Sequence, residues 1–526
     1  MKAWLIGLTV AVAATATPAH ARWRVAESEN FVIYAEDSEK DLMRFGDQLE
    51  RYHSAMELLT GRDVAAPSPS NRLTVYVAGS QRDIRRLSRG SRQVAGFYSP
   101  RAGGSAAFVQ DVRVSAAETD FSMTVLLHEY AHHFLISTSR HALPRWLSEG
   151  AAEFYASARF PRDGEVEIGR PAMHRAGELL YSEEVPLEEV FEYGNFAPGQ
   201  REQENDFYGR SWLLFHYLTF GNAERRGQMS AYWQAVSSGT GSLEAARQAF
   251  GDINVLSREL AKYLKQKRMS MAVFGPDQLS AAPIRVRELS DGMDAVMDLM
   301  IESKRGVTRE EAIELVPQVR AIAARYPGDA NLLAVLAEAE FDAGNDDAAI
   351  AGADAALAID PSVTNAYVQK GYALFNKAQS ADVEVMDAAY KTALQPFLAL
   401  NAIETDHPIP LIYFYRSYTE RGAEPNENAR HALERASELA PFDQGLTLST
   451  ATMLAQEGKI ALAKLYLSPL MANPHGGSLA GIASQLDGVL EDAEEGVPVD
   501  GATLGLAMAA REATLEGVDG GDEEAE

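Results

Sequence analysis

The chain contains no cysteine. Disulfides, thiolate metal sites, a cysteine nucleophile and lipid attachment through an N-terminal cysteine are therefore excluded, and any metal site must be built from histidine and carboxylate. Positive charge is scarce: 48 Lys and Arg stand against 75 Asp and Glu, for a formal net charge of −27. That balance argues against nucleic acid and anionic lipid as partners, because both call for a basic face. Beyond the N-terminus no segment approaches the length of apolar run that a membrane-spanning helix requires, about 18 residues. What is present is ordinary globular material, 46% hydrophobic and 23% charged over 526 residues. A single core rarely grows past roughly 250–300 residues, so at least two domains are expected.

The N-terminus has its own pattern. Lys2 precedes an apolar stretch from Trp4 to Ala14, and Pro18 precedes Ala19-His20-Ala21. A short positive region, a short apolar region and an A-x-A site predict a signal peptide over residues 1–21, cleaved after Ala21. The apolar run is too short to serve as a stable anchor. A periplasmic or secreted location is therefore expected.

After Arg22 strands and helices alternate. Phe31–Ala35 and Leu73–Val77 read as strands. Between them Ser38 caps a helix that runs to about Thr60 and closes at Gly61, with Leu42, Phe45, Leu49, Tyr52, Met56 and Leu59 at steps of three or four. Ser80 opens a short basic helix. Gly96–Tyr98 and Ser105–Val109 read as two more strands joined by a turn at Pro100–Gly104. From Asp120 to Arg268 the pattern is almost all helix: Met123–Ser137, capped by Thr119 or Asp120, a helix opened by Pro144, a third from Asp206, and two more. The expected architecture is an α+β domain over 22–268, with a small mixed sheet first and a helical half second.

Residues 269–283, with Gly275-Pro276 and Pro283, read as a linker. Beyond it, Ala-rich helical pairs recur. Pro327 and Pro361 stand one 34-residue period apart, with Leu336, Ala337, Gly344, Ala349 and Ala356 at packing positions; Pro441 and Pro474 continue the spacing. This half, 284–475, resembles tetratricopeptide repeats, which implies an all-α solenoid with a concave groove for a protein partner. About a dozen inserted residues break the period between Pro361 and Pro408. A helical segment is expected over 476–516, and a disordered acidic, Gly-rich tail over 517–526.

The chemistry centres on His128-Glu129-Tyr130-Ala131-His132, an H-E-x-x-H motif. Residues four apart share a helix face, so both imidazoles can reach one ion, while Glu129 can address a water on that ion without ligating it. His133 lies about 100° round the helix and is expected to be structural. Catalytic zinc takes three protein ligands and leaves a position for water. The candidate third ligand is Glu149, on the helix after Pro144, with His141 and Glu153 as competitors. Glu153, four residues beyond Glu149, can accept the outer N–H of a ligating histidine.

H-E-x-x-H followed by Trp146-Leu147-Ser148-Glu149-Gly150-Ala151-Ala152-Glu153-Phe154-Tyr155 resembles the gluzincin metallopeptidases, the thermolysin and aminopeptidase-N group, and most of all peptidase-MA-like domains, over about Phe31–Leu218. The resemblance implies one Zn2+ held by His128, His132 and Glu149, Glu129 as general base, and Glu153 as partner of a ligand histidine. It implies that Ala106–Val109 is the sheet edge along which an extended peptide lies. It also points to Tyr208, in Phe207-Tyr208-Gly209-Arg210-Ser211-Trp212, as an oxyanion stabiliser, with His216 as a possible helper. No acidic amine-binding motif of the aminopeptidase kind can be placed, so the expectation is an endopeptidase acting on a peptide or protein substrate, with the repeats recruiting that substrate or a partner. The competing expectation is an inactive exported repeat scaffold on a peptidase-like fold.

Overall fold

The computed structural model describes residues 22–62, 64–89, 96–110, 121–138, 141–161, 164–192, 205–225, 227–472 and 477–505. The expected signal peptide, the cap at Thr119 or Asp120, Pro474 and the acidic tail lie outside these residues. The fold is mixed α+β, with a small sheet near the N-terminus and a long helical C-terminal half. Among the described residues no helix is long and apolar enough to cross a membrane.

Strand β1 (Arg24–Glu27) turns back into β2 (Phe31–Ala35), and helix α1 (Glu39–Thr60) crosses over to β3 (Leu73–Val77). Ser38 caps α1 by accepting from the Asp41 N–H, and Gly61 ends it in the left-handed conformation (φ +65°) that glycine adopts without penalty. Helix α2 (Gln81–Leu87) leads to the hairpin of β4 (Gly96–Ser99) and β5 (Ala106–Val109). The sheet order is β4-β5-β3-β2-β1-β8, where β8 (Arg285–Glu288) returns from far along the chain to pair antiparallel with β1, Arg24 opposite Glu288. Strands β2, β3 and β5 run parallel; the flanking strands run antiparallel.

Alternation along these strands serves two cores. Phe31, Ile33 and Ala35 face one side, with Leu73, Val75, Val77, Ala107 and Val109, against α1 and the helical part of the N-terminal half. Val25, Tyr76, Ala106 and Phe108 face the other side. There they meet α11 (Asp291–Lys304), α12 (Arg309–Ala323) and α13 (Ala330–Asp342). Both sheet faces are thus buried, one of them by the C-terminal half.

The helical part of the N-terminal half holds α3 (Phe121–Thr138), α4 (Arg145–Ala156), the short α5 (Ala176–Tyr181) and α6 (Leu187–Glu192), and α7 (Phe207–His216). Among the described residues three α-helices follow α7 before Arg268 where two were expected: α8 (Gln228–Ser237), α9 (Ser242–Phe250) and α10 (Ile253–Leu264). A small strand, β6 (Val166–Ile168), interrupts the helices and pairs antiparallel with β7 (Ala272–Phe274). Residues 269–283, expected to be a linker, therefore contain β7, and β8 falls inside the range assigned to repeats. Neither strand has a readable pattern; β8 reads RVRE with one apolar residue and is largely exposed.

Beyond α13 the chain continues as α14 (Asp346–Ile359), α15 (Thr364–Gln379), α16 (Val383–Ile403), α17 (Pro408–Thr419), α18 (Glu427–Leu439), α19 (Gln444–Gln456), α20 (Ile460–Ala472) and α21 (Gly477–Glu491). Small residues let successive helices approach: Ala330, Ala334, Ala337, Ala353, Ala356 and Ala366 form, with Val363, a core built almost entirely of alanine, and a Cβ on Gly352 would sit 3.4 Å from Ala337. The inserted residues between Pro361 and Pro408 lengthen α15 and α16 to 16 and 21 residues. This half meets the sheet half a second time. Ser70 donates from its N–H and its hydroxyl to Glu404, the Ala102 N–H donates to Asp443 at 2.9 Å, and Asn71 donates to the Leu439 carbonyl.

Candidate metal centre

Helix α3 presents two faces of different chemistry. Met123, Leu126, Leu127 and Phe134 are buried in the core, each contributing about 1.5–3 kcal/mol. Two further bonds tie α3 to α1: the Tyr52 hydroxyl donates to the Leu127 carbonyl at 3.2 Å, and the Tyr130 hydroxyl lies 2.7 Å from His53 Nδ1. The opposite face carries His128, Glu129 and His132. Helix α4 brings up Glu149 from below. It is seated by Trp146, wholly buried with its indole N–H on the Tyr232 hydroxyl at 2.7 Å, and by Gly150. A Cβ at Gly150 would lie 2.4 Å from the Ser211 carbonyl oxygen of α7, so only glycine permits α4 and α7 to pack this closely.

The result is a compact donor triangle. His128 Nε2 and His132 Nε2 are 3.1 Å apart, and one Glu149 carboxylate oxygen stands 3.5 Å from each. Donors at the usual zinc distances on a tetrahedron are about 3.3–3.4 Å apart. The outer ring nitrogens are engaged: His128 Nδ1 is 3.3 Å from Glu153, and His132 Nδ1 is 3.2 Å from the Ser148 hydroxyl. In neutral rings that keep their proton on Nδ1, each Nε2 presents a lone pair, so two lone pairs and a carboxylate can converge on one point. His128, His132 and Glu149 could hold a metal ion, and the donor set fits one that accepts nitrogen and carboxylate oxygen.

Glu153 is almost completely buried and does more than support His128. It accepts from Arg175 at 2.6 and 3.0 Å and lies 2.5 Å from His174 Nε2. Burial opposes ionisation of both carboxylates. His132 and His128 nonetheless hold Glu149 well below the usual carboxylate range, and His128, His174 and Arg175 do the same for Glu153. His128 is the converse: burial works against its charge, but Glu149 and Glu153 raise its pKa well above the ordinary histidine value in the metal-free chain.

Tyr208 joins this group from α7. Arg175 packs over its ring at 4.8 Å. Burial and the nearby charge of Glu149 push its hydroxyl up to about 12, against the pull of Arg145 and Arg175, so at neutral pH it is an O–H donor. Glu129 lines a cavity together with His132 and Ser148.

The chain matches no protein-family model and no curated protein.

The other histidines separate from the triangle. His216 is wholly buried, with Nε2 on the Gly169 carbonyl at 2.7 Å and Nδ1 at 2.9 Å from the Tyr263 hydroxyl, which commits both nitrogens to structure. His141 is exposed at the cavity wall and packs edge-on to Trp233. His133, pushed down to about 4 by burial, lies 2.6 Å from the Tyr98 hydroxyl. The expectation that Ala106–Val109 forms the sheet edge is overturned: β5 is paired on both sides, by β3 and β4, so its backbone groups are taken, and among the described residues β4 is the edge. Sequence reasoning missed Ser148 as a partner of His132, and His174 and Arg175 altogether. The latter two sit on a short turn with no periodic pattern, and the only cue is chemical: a buried carboxylate needs a cation.

Proposed function

We propose that this chain is a zinc metallopeptidase of the gluzincin kind, with a zincin-like N-terminal half and tetratricopeptide-like repeats behind it. The observation that carries the proposal is the donor triangle of His128, His132 and Glu149 with its outer nitrogens already engaged, beside a carboxylate that faces a cavity. Zinc bound there would polarise a scissile carbonyl and bring the pKa of a water to about 7. Glu129 takes the proton of the attacking water and passes it to the leaving amine. The Tyr208 hydroxyl donates to the oxygen that gains charge as the carbonyl becomes tetrahedral. Arg175 and Glu153 fix the outer face of His128, and Ser148 that of His132, so the two rings need not reorganise. An extended peptide pairs with β4, the edge strand among the described residues, placing its backbone beside α3. Endopeptidase action and export through the N-terminal segment complete the proposal.

The test is Glu129→Gln beside wild type, each zinc-loaded, on a mixture of unstructured peptides. The expected result is about one zinc per chain in both, with hydrolysis in wild type alone. Zinc lost together with activity would refute the role given to Glu129, and a wild-type chain that takes up no zinc would favour the inactive scaffold.

A further inference from the structure

The cavity beside Glu129 has two walls from distant parts of the chain. Its volume is about 620 Å³, within the range of roughly 300–1,000 Å³ common to specific ligand sites. One wall belongs to the sheet half: Phe97 and Tyr98 of β4, Leu135 and Ile136 of α3, and Leu143. The other wall belongs to the helical C-terminal half: Pro441, Phe442, Leu465, Tyr466 and Leu470, from the end of α18 to α20. Glu129, His132 and Ser148 form part of the same lining, so the cavity is continuous with the metal centre.

We infer that the repeat half is the far wall of the substrate cleft, and that α20 with Phe442 selects a bulky apolar side chain next to the scissile bond. The nature of the occupant rests on the peptidase proposal. Three observations carry the assignment. The lining is dominated by aliphatic and aromatic side chains. No lysine or arginine is among the described lining residues, so an acidic side chain seated against Phe442 and α20 would give up its hydration without a pairing cation. The wall is also held in register with the edge strand: Tyr98 lies 2.6 Å from His133, whose ring packs 4.6 Å from Phe442, and the Ala102 N–H on Asp443 ties the β4–β5 turn to the start of α19. The cavity is therefore built before a peptide arrives, which lowers the ordering cost of binding. A peptide laid on β4 would point alternate side chains into the space between the two walls.

Leu465 is half-buried on the cavity side of α20, which makes it a site for substitution with limited effect on the core. The probes are fluorescein-labelled Ala/Ser octapeptides carrying one central Leu, Phe, Asp or Lys. Their affinity is measured on zinc-loaded full-length Glu129→Gln, alone and combined with Leu465→Lys or Leu465→Trp, and their hydrolysis is followed in the same Leu465 variants with Glu129 retained. Melting transitions confirm folding. Glu129→Gln is expected to bind the Leu and Phe peptides at least about ten-fold more tightly than the Asp peptide. Leu465→Lys should erase or invert that ratio, and Leu465→Trp should weaken the Phe peptide most. If wild type hydrolyses the peptides but both folded Leu465 variants keep its affinities and cleavage profile, the cleft assignment is overturned and the peptidase proposal stands. If the binding preference and its loss appear as expected but wild type hydrolyses nothing, the peptidase proposal fails and the cleft assignment stands. Binding by Glu129→Gln with no preference among the four peptides also overturns the assignment.

Discussion

Glu149 and Glu153 lie one helical turn apart on α4, both buried and both touching His128, yet the structure gives them different work. Glu149 approaches the Nε2 side of both rings, and Glu153 approaches Nδ1 of one. Replacing each by alanine should produce opposite rankings in two assays. Zinc in peptide sites binds with about 10–16 kcal/mol spread over four ligands, so losing one donor costs about 2.5–4 kcal/mol, or roughly 10²–10³-fold in affinity. Glu149→Ala is expected in that range, and Glu153→Ala at about 10–100-fold. The metal-free fold should show the reverse. Glu153→Ala strands the half-buried Arg175 guanidinium, which loses two bonds and keeps Glu178 and the Tyr208 ring, a change worth up to about 3 kcal/mol, the low end of broken buried pairs. Glu149→Ala removes a carboxylate whose attraction to the histidines is partly offset by its own desolvation, so its effect on the metal-free fold should be smaller. Zinc affinity is read by competition with a chromophoric chelator, and stability by urea unfolding in excess chelator. The same substitution ranking worse in both assays would refute the assignment of inner and outer carboxylates.

Other outcomes follow from the same geometry. In the proposed mechanism the Tyr208 hydroxyl is used only as charge develops, so Tyr208→Phe should lower kcat by about 10²–10³-fold with little change in KM; a change confined to KM would remove Tyr208 from that role. Gly150→Ala should destabilise by about 1–3 kcal/mol and weaken zinc binding together, since the new methyl group drives α4 away from α7. In the metal-free chain the raised pKa of His128 means its stabilising charge is fully present below about pH 6.5 and is lost as pH rises through the higher folded value. Zinc must displace that proton, so calorimetry in buffers of different ionisation enthalpy should show about one proton released per zinc below that value and affinity climbing with pH. A chain ended near Arg268 lacks β8 and the cover over Val25, Tyr76 and Phe108, and is expected to aggregate on gel filtration; a soluble monomer with a cooperative melt would contradict this.

Much of the first half was legible in the sequence because its signals are local. Ser38 and Gly61 mark both ends of α1, and the alternation in Phe31–Ala35 and Leu73–Val77 survives because each face of those strands meets its own core. The histidine pair was legible because a helix places residues four apart together whatever surrounds it. Strand order was not: whether β4 or β5 is the edge depends on which backbone finds a partner, and both are short and apolar. Strand β8 was invisible because an exposed edge strand of Arg, Val, Arg and Glu carries no periodic apolar signal. Arg175 was out of reach because its role is defined by a carboxylate on another element, and the second wall of the cavity because it is supplied by helices about 300 residues further along the chain than α3.

The late arrival of β8 also bears on how the chain reaches this state. Strand β1 cannot complete its pairing until residues 285–288 exist, a sequence separation of 264 for the Arg24–Glu288 pair. Closing so long a loop is slow relative to local helix formation, and until then β1 offers an unsatisfied edge to any neighbouring strand. During synthesis or refolding, docking of this last strand of the sheet is thus expected to be a slow step. Nascent chains halted between α10 and β8 should be prone to associate with one another; β8 replaces the β1 edge with a charged one, and α11 to α13 then cover the second sheet face.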